Sequence, residues 1–348
     1  MGQVDQSYNP VGLDGIEFLE YSSPADKPLE PLFKKLGFEK VGEHKNQKID
    51  LYRQNDINFL MNKQAGSFGE DFHKLHGPSI SSAGFRVKNA AEAFKTAVAR
   101  GAKPYTGDRS KLIGDFPTIY GIGDSLVYFI DQYKTNTIYD SHFNVTNKNT
   151  ITGKGFLRVD HMTNNVPVGE MQKWCDFYEK VFNFTERRYF DIRGTKTGLI
   201  SKVMISPCGK IMIPINEPAD QKSQIQEYIN EYQGSGIQHV ALLTTNVCQS
   251  VSSVRDEGVD FLDAPDAYFD MIPDRVPNVT EPIDRLKKLR ILVDGDDHGY
   301  LLQIFTKNVI GPIFFEVIQR KGHDGFGDGN FQALFDAIER DQESRGVL

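Results

Sequence analysis

Apolar and polar positions follow one recurring pattern along the chain. A short alternating strand leads through a polar link into an amphipathic helix, which ends at Gly or Asn before further strand-like segments. Predicted helices lie in PLEPLFKKLG, AAEAFKTAVARG, GEMQKWCDFYEKVFN and VCQSVSSVRDEG, and they end at Gly37, Gly101, Asn183 and Gly258. The pattern therefore occurs four times, and alternating segments such as DINFLMN and PIFFEVIQR predict the strands that follow the helices.

The four units form two pairs, which predict two tandem α+β domains, each built from paired βαβββ modules. A polar stretch, KTNTIYDSHFNVTNKNTITGKG at 134–155, separates the pairs and is the best linker candidate. We therefore place the boundary near residue 150 and predict domains at 1–150 and 151–348. Two unrelated α+β domains that share common local patterns are the alternative.

The C-terminal tail lies outside the repeat. The glycines of GHDGFGDGN, residues 322–330, predict a flexible segment. After it, Phe331, Leu334, Phe335 and Ile338 form the apolar stripe of a helix. Such a helix is either a packing cap or a mobile lid, and the spacing alone favours the cap.

Three strand segments each place one ionisable residue on an otherwise apolar face: His161 in FLRVDHMT, His239 in SGIQHVALL and Glu316 in PIFFEVIQR. A buried imidazole or carboxylate is costly unless it is paired or binds a metal. Two imidazoles and one carboxylate are the facial triad of non-haem Fe(II) oxygenases. Taken singly, a strand histidine is more often a hydrogen-bonded core residue, and an ion pair with Arg320 would explain Glu316. The residues alone leave both explanations open.

The remaining histidines lie in polar or turn-like contexts, and we expect them to be solvated. They are His44, His73, His76, His142, His298 and His323.

Composition and charge exclude several classes of protein. The chain has 348 residues, a net charge of −7 and no basic run, which argues against nucleic acid or an anionic membrane as the main partner. No apolar stretch approaches the roughly 18 residues of a membrane-spanning helix, and the N-terminus does not resemble a signal peptide. Three widely spaced cysteines indicate a reducing compartment and argue against sulfur ligands. We expect a cytoplasmic protein.

The segments that carry the three ionisable residues resemble the bacterial 4-hydroxyphenylpyruvate dioxygenases. The blocks VDHMTNNV, PINEP, KSQIQEYI, GSGIQHVALLT, ILVDGDDHGYLLQIFTK, FFEVIQRKG and GFGDGNFQALF match that family's blocks in order, from near residue 155 to the end. The front half, from GLDGIEFLE onward, resembles the family's non-catalytic domain more loosely. The family belongs to the vicinal-oxygen-chelate superfamily, whose tandem βαβββ modules agree with the repeat.

The resemblance implies that His161, His239 and Glu316 hold Fe(II), one ion per chain. In the first domain, a rough alignment of the repeats places Phe18 and Ser82 at the positions of the two histidines. Neither replaces an imidazole, so we expect that domain to bind no metal.

The resemblance also implies a substrate pocket, with Gln238, Gln303 and Phe331 expected to act in catalysis. The substrate-binding residues implied are Ser201, Asn216, Gln224, Gln238, Gln303, Phe305, Phe314, Phe326 and Phe331. Gln303 also interrupts an apolar strand face between Leu301 and Phe305, although a core glutamine bonded to backbone fits that spacing equally well. As pocket-closing residues, Phe326 and Phe331 favour the lid over the cap.

The implied reaction converts 4-hydroxyphenylpyruvate and O2 to homogentisate and CO2 in tyrosine and phenylalanine catabolism. No 2-oxoglutarate is needed, because the substrate carries its own 2-oxo acid. The alternatives are a hydroxymandelate synthase, ring-cleaving dioxygenases and glyoxalases of the same fold, and a metal-free binding module; PINEP and Phe331 favour ring hydroxylation. We expect the small-molecule substrate and O2 as partners, no nucleic acid or membrane, and a homo-oligomer, either a dimer or a tetramer.

Overall fold

The computed structural model describes residues 8–193, 198–330 and 346, and these residues build two eight-stranded sheets. The strands of the first sheet are β1 (Leu13–Ser22), β2 (Glu39–His44), β3 (Ile49–Gln54), β4 (Ile57–Asn62), β5 (Ser79–Val87), β6 (Thr118–Tyr120), β7 (Leu126–Ile130) and β8 (Phe143–Val145). The strands of the second sheet are β9 (Phe156–Asn165), β10 (Thr185–Arg193), β11 (Gly198–Ile205), β12 (Met212–Pro218), β13 (Gly236–Thr244), β14 (Leu292–Asp296), β15 (Gly299–Phe305) and β16 (Phe314–Lys321). The α-helices are α1 (Glu30–Lys35), α2 (Phe68–His76), α3 (Ala90–Ala99), α4 (Ile138–His142), α5 (Met171–Phe182), α6 (Gln224–Tyr232), α7 (Val247–Asp256), α8 (Asp266–Asp270), α9 (Ile272–Arg275) and α10 (Ile283–Leu289).

The strand order confirms a tandem arrangement of α+β modules. It is β6-β7-β5-β1-β4-β3-β2-β8 in the first sheet and β10-β11-β12-β9-β13-β16-β15-β14 in the second. In three units the helix is followed by three strands, and the last of these pairs in parallel with the strand before the helix: β4 with β1, β12 with β9, and β16 with β13. The second unit differs, because only β6 and β7 follow α3 within the fully described residues 79–130. A single bridge between Pro104 and Ile119 lies beside them.

The predicted helix ends are confirmed by backbone conformation. Gly37, Gly101, Asn183 and Gly258 all have positive φ, between 61° and 106°, the conformation that ends a helix and favours Gly or Asn. Helix α5 illustrates the packing, since its buried side chains fall on one face and its last turn stops at Asn183 with φ 61°. The local pattern thus sets both the face and the end of the helix.

The predicted linker at 134–155 was too long. Thr137 and Asp140 form a capping box that starts α4, and strand β8 pairs with β2 at the edge of the first sheet. Ile138 and Phe143 are buried there. The polar residues that suggested a linker are partly helix-capping groups. The boundary near residue 150 stays a prediction; the interval between β8 and β9 is 146–155.

The two sheets are joined by shared packing that the sequence pattern did not indicate. The rings of Phe59 and Phe315 stack across the junction with centroids 6.2 Å apart. His76 of α2 stacks on Tyr232 of α6, and its Nδ1–H donates to the Tyr232 carbonyl at 2.7 Å. The prediction that His76 is solvated was therefore wrong, and His44 is buried as well. In the described part of the chain, no helix is long and apolar enough to span a membrane.

Candidate metal centre and substrate pocket

Three strands at the centre of the second sheet bring His161, His239 and Glu316 together. Strand β13 lies between β9 and β16, and the ligand atoms of the three residues all lie within 4.8 Å of one another. Oε2 of Glu316 is 3.1 Å from Nε2 of His161 and 3.4 Å from Nε2 of His239. All three side chains are buried. The structure therefore assembles the predicted triad, and Arg320 does not pair with Glu316.

Each triad histidine follows an extra residue in its strand. The register between β9 and β13 shifts at Asp160 and again at Gln238, so each is a bulge residue with no opposite partner. Neighbouring side chains normally point to opposite faces of a strand, but here each bulge residue reaches its histidine. Asp160 Oδ2 accepts from Nδ1 of His161 at 2.9 Å, and Gln238 Oε1 accepts from Nδ1 of His239 at 3.0 Å. These contacts leave both Nε2 atoms facing Glu316.

The charges in the triad depend on one another. Burial acts to lower the pKa of His161, but the charge of Glu316 and the hydrogen bond to Asp160 outweigh it and raise the pKa to about 9. Burial acts to raise the pKa of Glu316, but His161 and His239 lower it to about 2. Burial lowers the pKa of His239. An ionised carboxylate beside a neutral imidazole needs positive charge, which a proton on His161 or a divalent cation can supply.

The donor set fits a divalent iron ion. Metal–ligand bonds of about 2.1 Å place adjacent ligands of an octahedral ion about 3 Å apart, close to the 3.1 Å and 3.4 Å separations of Glu316 from the two imidazoles. The second carboxylate oxygen, Oε1, is buried and has no hydrogen-bond partner within the described part of the chain. A buried orphan oxygen is costly unless a cation or a donor satisfies it. Two imidazoles and one carboxylate on one side leave positions open for other ligands.

A pocket lies over the triad, with about 550 Å³ of unfilled space that includes its opening to solvent. It brings together most of the predicted substrate residues: Ser201, Asn216, Gln224, Gln238, Phe305, Phe314 and Phe326. The aromatic wall is close to the histidines, with Phe314 stacked on His239 at 4.8 Å and Phe326 edge-on to His161 at 5.3 Å. On the polar wall, two lining residues are hydrogen-bonded to each other: Asn216 Nδ2 donates to Oε1 of Gln238 at 3.4 Å.

Two predicted site residues are not placed in this pocket. Gln303 is not among the lining residues; it lies beneath Gly327, where a Cβ would overlap its amide. Its amide atoms have no hydrogen-bond partner among the described residues, so the alternative of a backbone-bonded core glutamine is not seen either. Phe331 and the helix predicted after it lie outside the described residues, and the choice between cap and lid stays a prediction.

The glycine-rich approach to that helix is held by side chains rather than free. Arg320 donates to the carbonyls of His323 and Gly325 at 3.3 and 2.5 Å, and Arg275 donates to the carbonyl of Gly329 at 3.1 Å. Asn330 is hydrogen-bonded to Tyr268. The expectation of a flexible segment overlooked these partners, which come from distant parts of the chain.

Sequence reasoning also missed several residues of the site. Asp160 and Arg320 form a buried ion pair behind His161, and the signal was a charged residue directly before a candidate ligand in a buried strand. The other additional lining residues are Thr163, Phe190, Leu199, Val203 and Pro214. Thr163 is polar, and its Oγ1 lies 2.9 Å from Nε2 of His239. The other four are apolar and look like ordinary core in the sequence, so no local signal marks them.

The corresponding face of the first sheet has different side chains. At the three triad positions the register places Phe18, Ser82 and Tyr128. The repeat alignment predicted the first two of these residues. The rings of Phe18 and Tyr128 lie 5.9 Å apart and are fully buried. Among the described residues, the triad of the second sheet is the one group of three such ligands close enough to share an ion. Absence of metal from the first domain stays a prediction.

Comparison with known proteins agrees with this geometry. The model of the N-terminal domain of hydroxyphenylpyruvate dioxygenase matches residues 7–144, and that of the glyoxalase/bleomycin resistance protein/dioxygenase superfamily matches 158–282. A 4-hydroxyphenylpyruvate dioxygenase from Legionella pneumophila (strain Corby) is 46% identical over 346 residues, which cover 99% of each chain. The chain belongs to the 4-hydroxyphenylpyruvate dioxygenase family.

Other relatives of this chain have names that differ from that of the dioxygenase. Protein MelA from Shewanella colwelliana is 51% identical over 98% of this chain and 99% of its own length. The solved structure of a mutant 4-hydroxymandelate synthase from Streptomyces coelicolor is 25% identical, with a TM-score of 0.81 over 95% of this chain and 99% of that chain. The fold is thus shared by proteins named for different reactions.

Proposed function

We propose that this protein is a non-haem Fe(II) dioxygenase that converts 4-hydroxyphenylpyruvate and O2 to homogentisate and CO2. The observation that carries the proposal is the buried triad of His161, His239 and Glu316 at the base of a pocket with aromatic and amide walls. The family relationship to 4-hydroxyphenylpyruvate dioxygenases supports the substrate class. Fe(II) bound by the triad would supply adjacent open positions for a chelating 2-oxo acid and for O2.

The pocket residues would bind and orient the substrate. Phe305 and Phe314 pack edge to face at 6.1 Å and offer flat apolar surfaces to a phenol ring. The hydroxyl of Ser201 and the amides of Asn216 and Gln224 offer hydrogen bonds to the phenol oxygen or the oxo acid. Such positioning, together with exclusion of water by the aromatic wall, is the protein's main contribution to a reaction of this kind. Catalytic roles for Gln238, Gln303 and Phe331 stay predictions.

The second candidate function is 4-hydroxymandelate synthesis, which the structural similarity to a synthase of that name favours. The substrate is the same, and the difference is whether oxygen enters the ring or the benzylic carbon. The sequence PINEP and Phe331 favour hydroxylation of the aromatic ring. A metal-free binding module is the third possibility, and the clustered triad argues against it.

The experiment is product identification after aerobic incubation of Fe(II)-loaded protein with 4-hydroxyphenylpyruvate, without 2-oxoglutarate. We expect homogentisate and CO2 in equal amounts, measured by chromatography and gas analysis, with the Glu316→Gln variant as the inactive control. Mainly 4-hydroxymandelate would assign the synthase reaction instead. Protein that binds the substrate but no iron, and consumes no O2, would support the binding module. A requirement for 2-oxoglutarate would contradict the proposal. Cytoplasmic location and homo-oligomer formation stay predictions.

A further inference from the structure

A buried ion pair lies on the Nδ1 side of His161, opposite the Nε2 atom that faces Glu316. Asp160 accepts from Nε of Arg320 through Oδ1 at 2.9 Å and from Nη2 through Oδ2 at 2.7 Å, while Oδ2 also accepts from Nδ1 of His161. The Asp160 side chain is fully buried and the Arg320 side chain is 13% exposed. The carboxylate therefore serves two donors at once, and its two-point contact with the guanidinium fixes its plane.

The other side of Arg320 contacts residues 323–326, which include the pocket-lining Phe326. Its Nη1 donates to the carbonyls of Gly325 and His323, and its guanidinium lies 5.4 Å from the ring centre of Phe326. The same ring lines the pocket and lies edge-on to His161. These contacts thus form a closed ring, which runs from His161 through Asp160, Arg320 and residues 323–326 back to His161.

The first domain shows that this ring of contacts is not a necessary feature of the fold. The equivalent bulge in β1 carries Glu17, whose carboxylate is also buried and paired with an arginine. That arginine is Arg86 of the neighbouring strand β5, and its remaining bonds go to Asp56. A bulge carboxylate paired with arginine is common to both domains, whereas the further contacts of that arginine with a pocket-lining segment are seen in the second.

We propose that Asp160 is a positioning residue for His161 and that Arg320 couples this position to closure of the pocket by residues 323–327. The inference rests on the proposed function, because it requires a metal ion at His161. Coupling is reciprocal: an ion that fixes His161 fixes Asp160 and Arg320, and so holds Phe326 over the pocket. Displacement of the segment in turn frees Arg320 and loosens His161.

The test compares the full-length wild-type protein with Asp160→Asn and Arg320→Lys. Asparagine keeps an oxygen for His161 but loses the charge, and lysine keeps the charge but cannot make the two-point contact and reach both carbonyls. Arg290→Gln is the matched control, since Arg290 forms its ion pairs with Asp263 and Asp266 outside the site. Two quantities are measured without O2: the Fe(II) dissociation constant, and hydrogen exchange of a peptide spanning 322–330 with and without Fe(II).

In wild type and in the control, we expect Fe(II) to slow exchange of that peptide. In both site variants we expect Fe(II) affinity to fall about 10- to 100-fold, as is typical when an outer partner of a metal ligand is removed. We also expect the slowing of exchange to be lost even when Fe(II) is saturating.

Three results would overturn the inference. If both variants keep wild-type affinity and protection, the pair is only a structural element. If affinity falls while iron-dependent protection persists, Asp160 and the segment are not coupled. If the wild-type protein binds no Fe(II), the proposed function fails together with the inference. In the first two results the wild type binds Fe(II), so the inference fails alone.

Discussion

The two sheets share one backbone plan and use it for different purposes. Both have a central antiparallel pair, β1 with β5 and β9 with β13, and both carry bulges at corresponding positions. The bulge residues directly before the triad positions are Glu17 and Ser81 in the first sheet and Asp160 and Gln238 in the second. At the triad positions, however, the first sheet buries two aromatic rings and a hydroxyl where the second has two imidazoles and a carboxylate.

The difference extends to the residue opposite the first triad position. Phe18 is paired with Gly84, where an added Cβ would lie 2.5 Å from the ring, whereas His161 is paired with Ala241. The larger ring requires glycine, and the smaller imidazole leaves room for a methyl group. The first domain therefore gains packed apolar volume at this face, while the second keeps polar groups that only a bound cation or each other can satisfy.

The largest expected effect is on iron binding when the carboxylate of the triad is removed. Glu316→Ala leaves two imidazoles without the charged ligand. We expect the wild type to bind one iron per chain and the variant to bind Fe(II) more than about 100-fold more weakly, beyond the range for outer partners. Turnover should be nearly abolished. The measurement is anaerobic Fe(II) titration with metal analysis of the desalted protein.

Tyr128→Phe is the matched control, since Tyr128 lies at the corresponding position of the first sheet. It should keep wild-type iron binding. If this control lost its iron while Glu316→Ala kept it, the metal would lie in the first domain and the prediction would be wrong.

The second effect is on stability and belongs to the first domain. Phe18 is 1% exposed and packs against Tyr128, so Phe18→Ala should create a cavity and lower the free energy of unfolding by about 3–5 kcal/mol. Iron affinity of the folded protein should not change. Urea unfolding and Fe(II) titration give the two values, and His161→Ala is expected to show the opposite pattern. Similar loss of iron in both variants would break the proposed division between the domains.

Much of the fold and the triad could be predicted because both depend on local periodicity. Helix faces, helix ends at positive φ, and the three ionisable breaks in apolar strands are all visible within a few residues of sequence. The linker prediction failed at α4 because Thr137 and Asp140 serve equally well in a loop or in a capping box. Helices α6 and α8 to α10 were not predicted.

The outer parts of the site could not be predicted because they depend on register. The extra residue at Asp160 turns its side chain toward His161, against the alternation that period two predicts. Arg320 reaches Asp160 across 160 positions of sequence, so its role depends on how β9 and β16 come together. For Gln303 the local pattern was misleading. Its polar side chain in an apolar strand face predicted a pocket residue, but the structure places its amide beneath Gly327.

The third effect tests the glycine opposite Phe18. Gly84→Ala places a methyl group against the Phe18 ring, and overpacking of this kind costs about 1–3 kcal/mol. The combination with Phe18→Leu should recover part of that loss, because the smaller side chain makes room, so the two changes should not be additive in urea unfolding. Additive losses would show that Gly84 is needed for a reason other than the ring.

The smallest effect is a gain in stability at a buried carboxyl of the first sheet. Glu20 is paired with Ser82 in the register, as Thr163 is paired with His239. It is 1% exposed, and its carboxyl is hydrogen-bonded to Asn62 and Ser82. Burial raises its pKa above the ordinary value of 4.5, although both hydrogen bonds act against that shift. A neutral carboxyl is therefore favoured in the folded state.

The sign of the pH dependence follows from that direction. A carboxyl whose folded-state pKa lies above the unfolded one stabilises fully below about pH 4.5, and this contribution is lost as pH rises through the folded-state pKa. Glu20→Gln keeps the shape and both hydrogen bonds without the charge. Its Tm should match the wild type near pH 4 and exceed it near pH 7, by about 2–4 °C for each kcal/mol of relieved penalty. A Tm difference that stays constant across this pH range would mean that Glu20 remains ionised in the fold, and that the first sheet, like the second, tolerates a buried charge at this face.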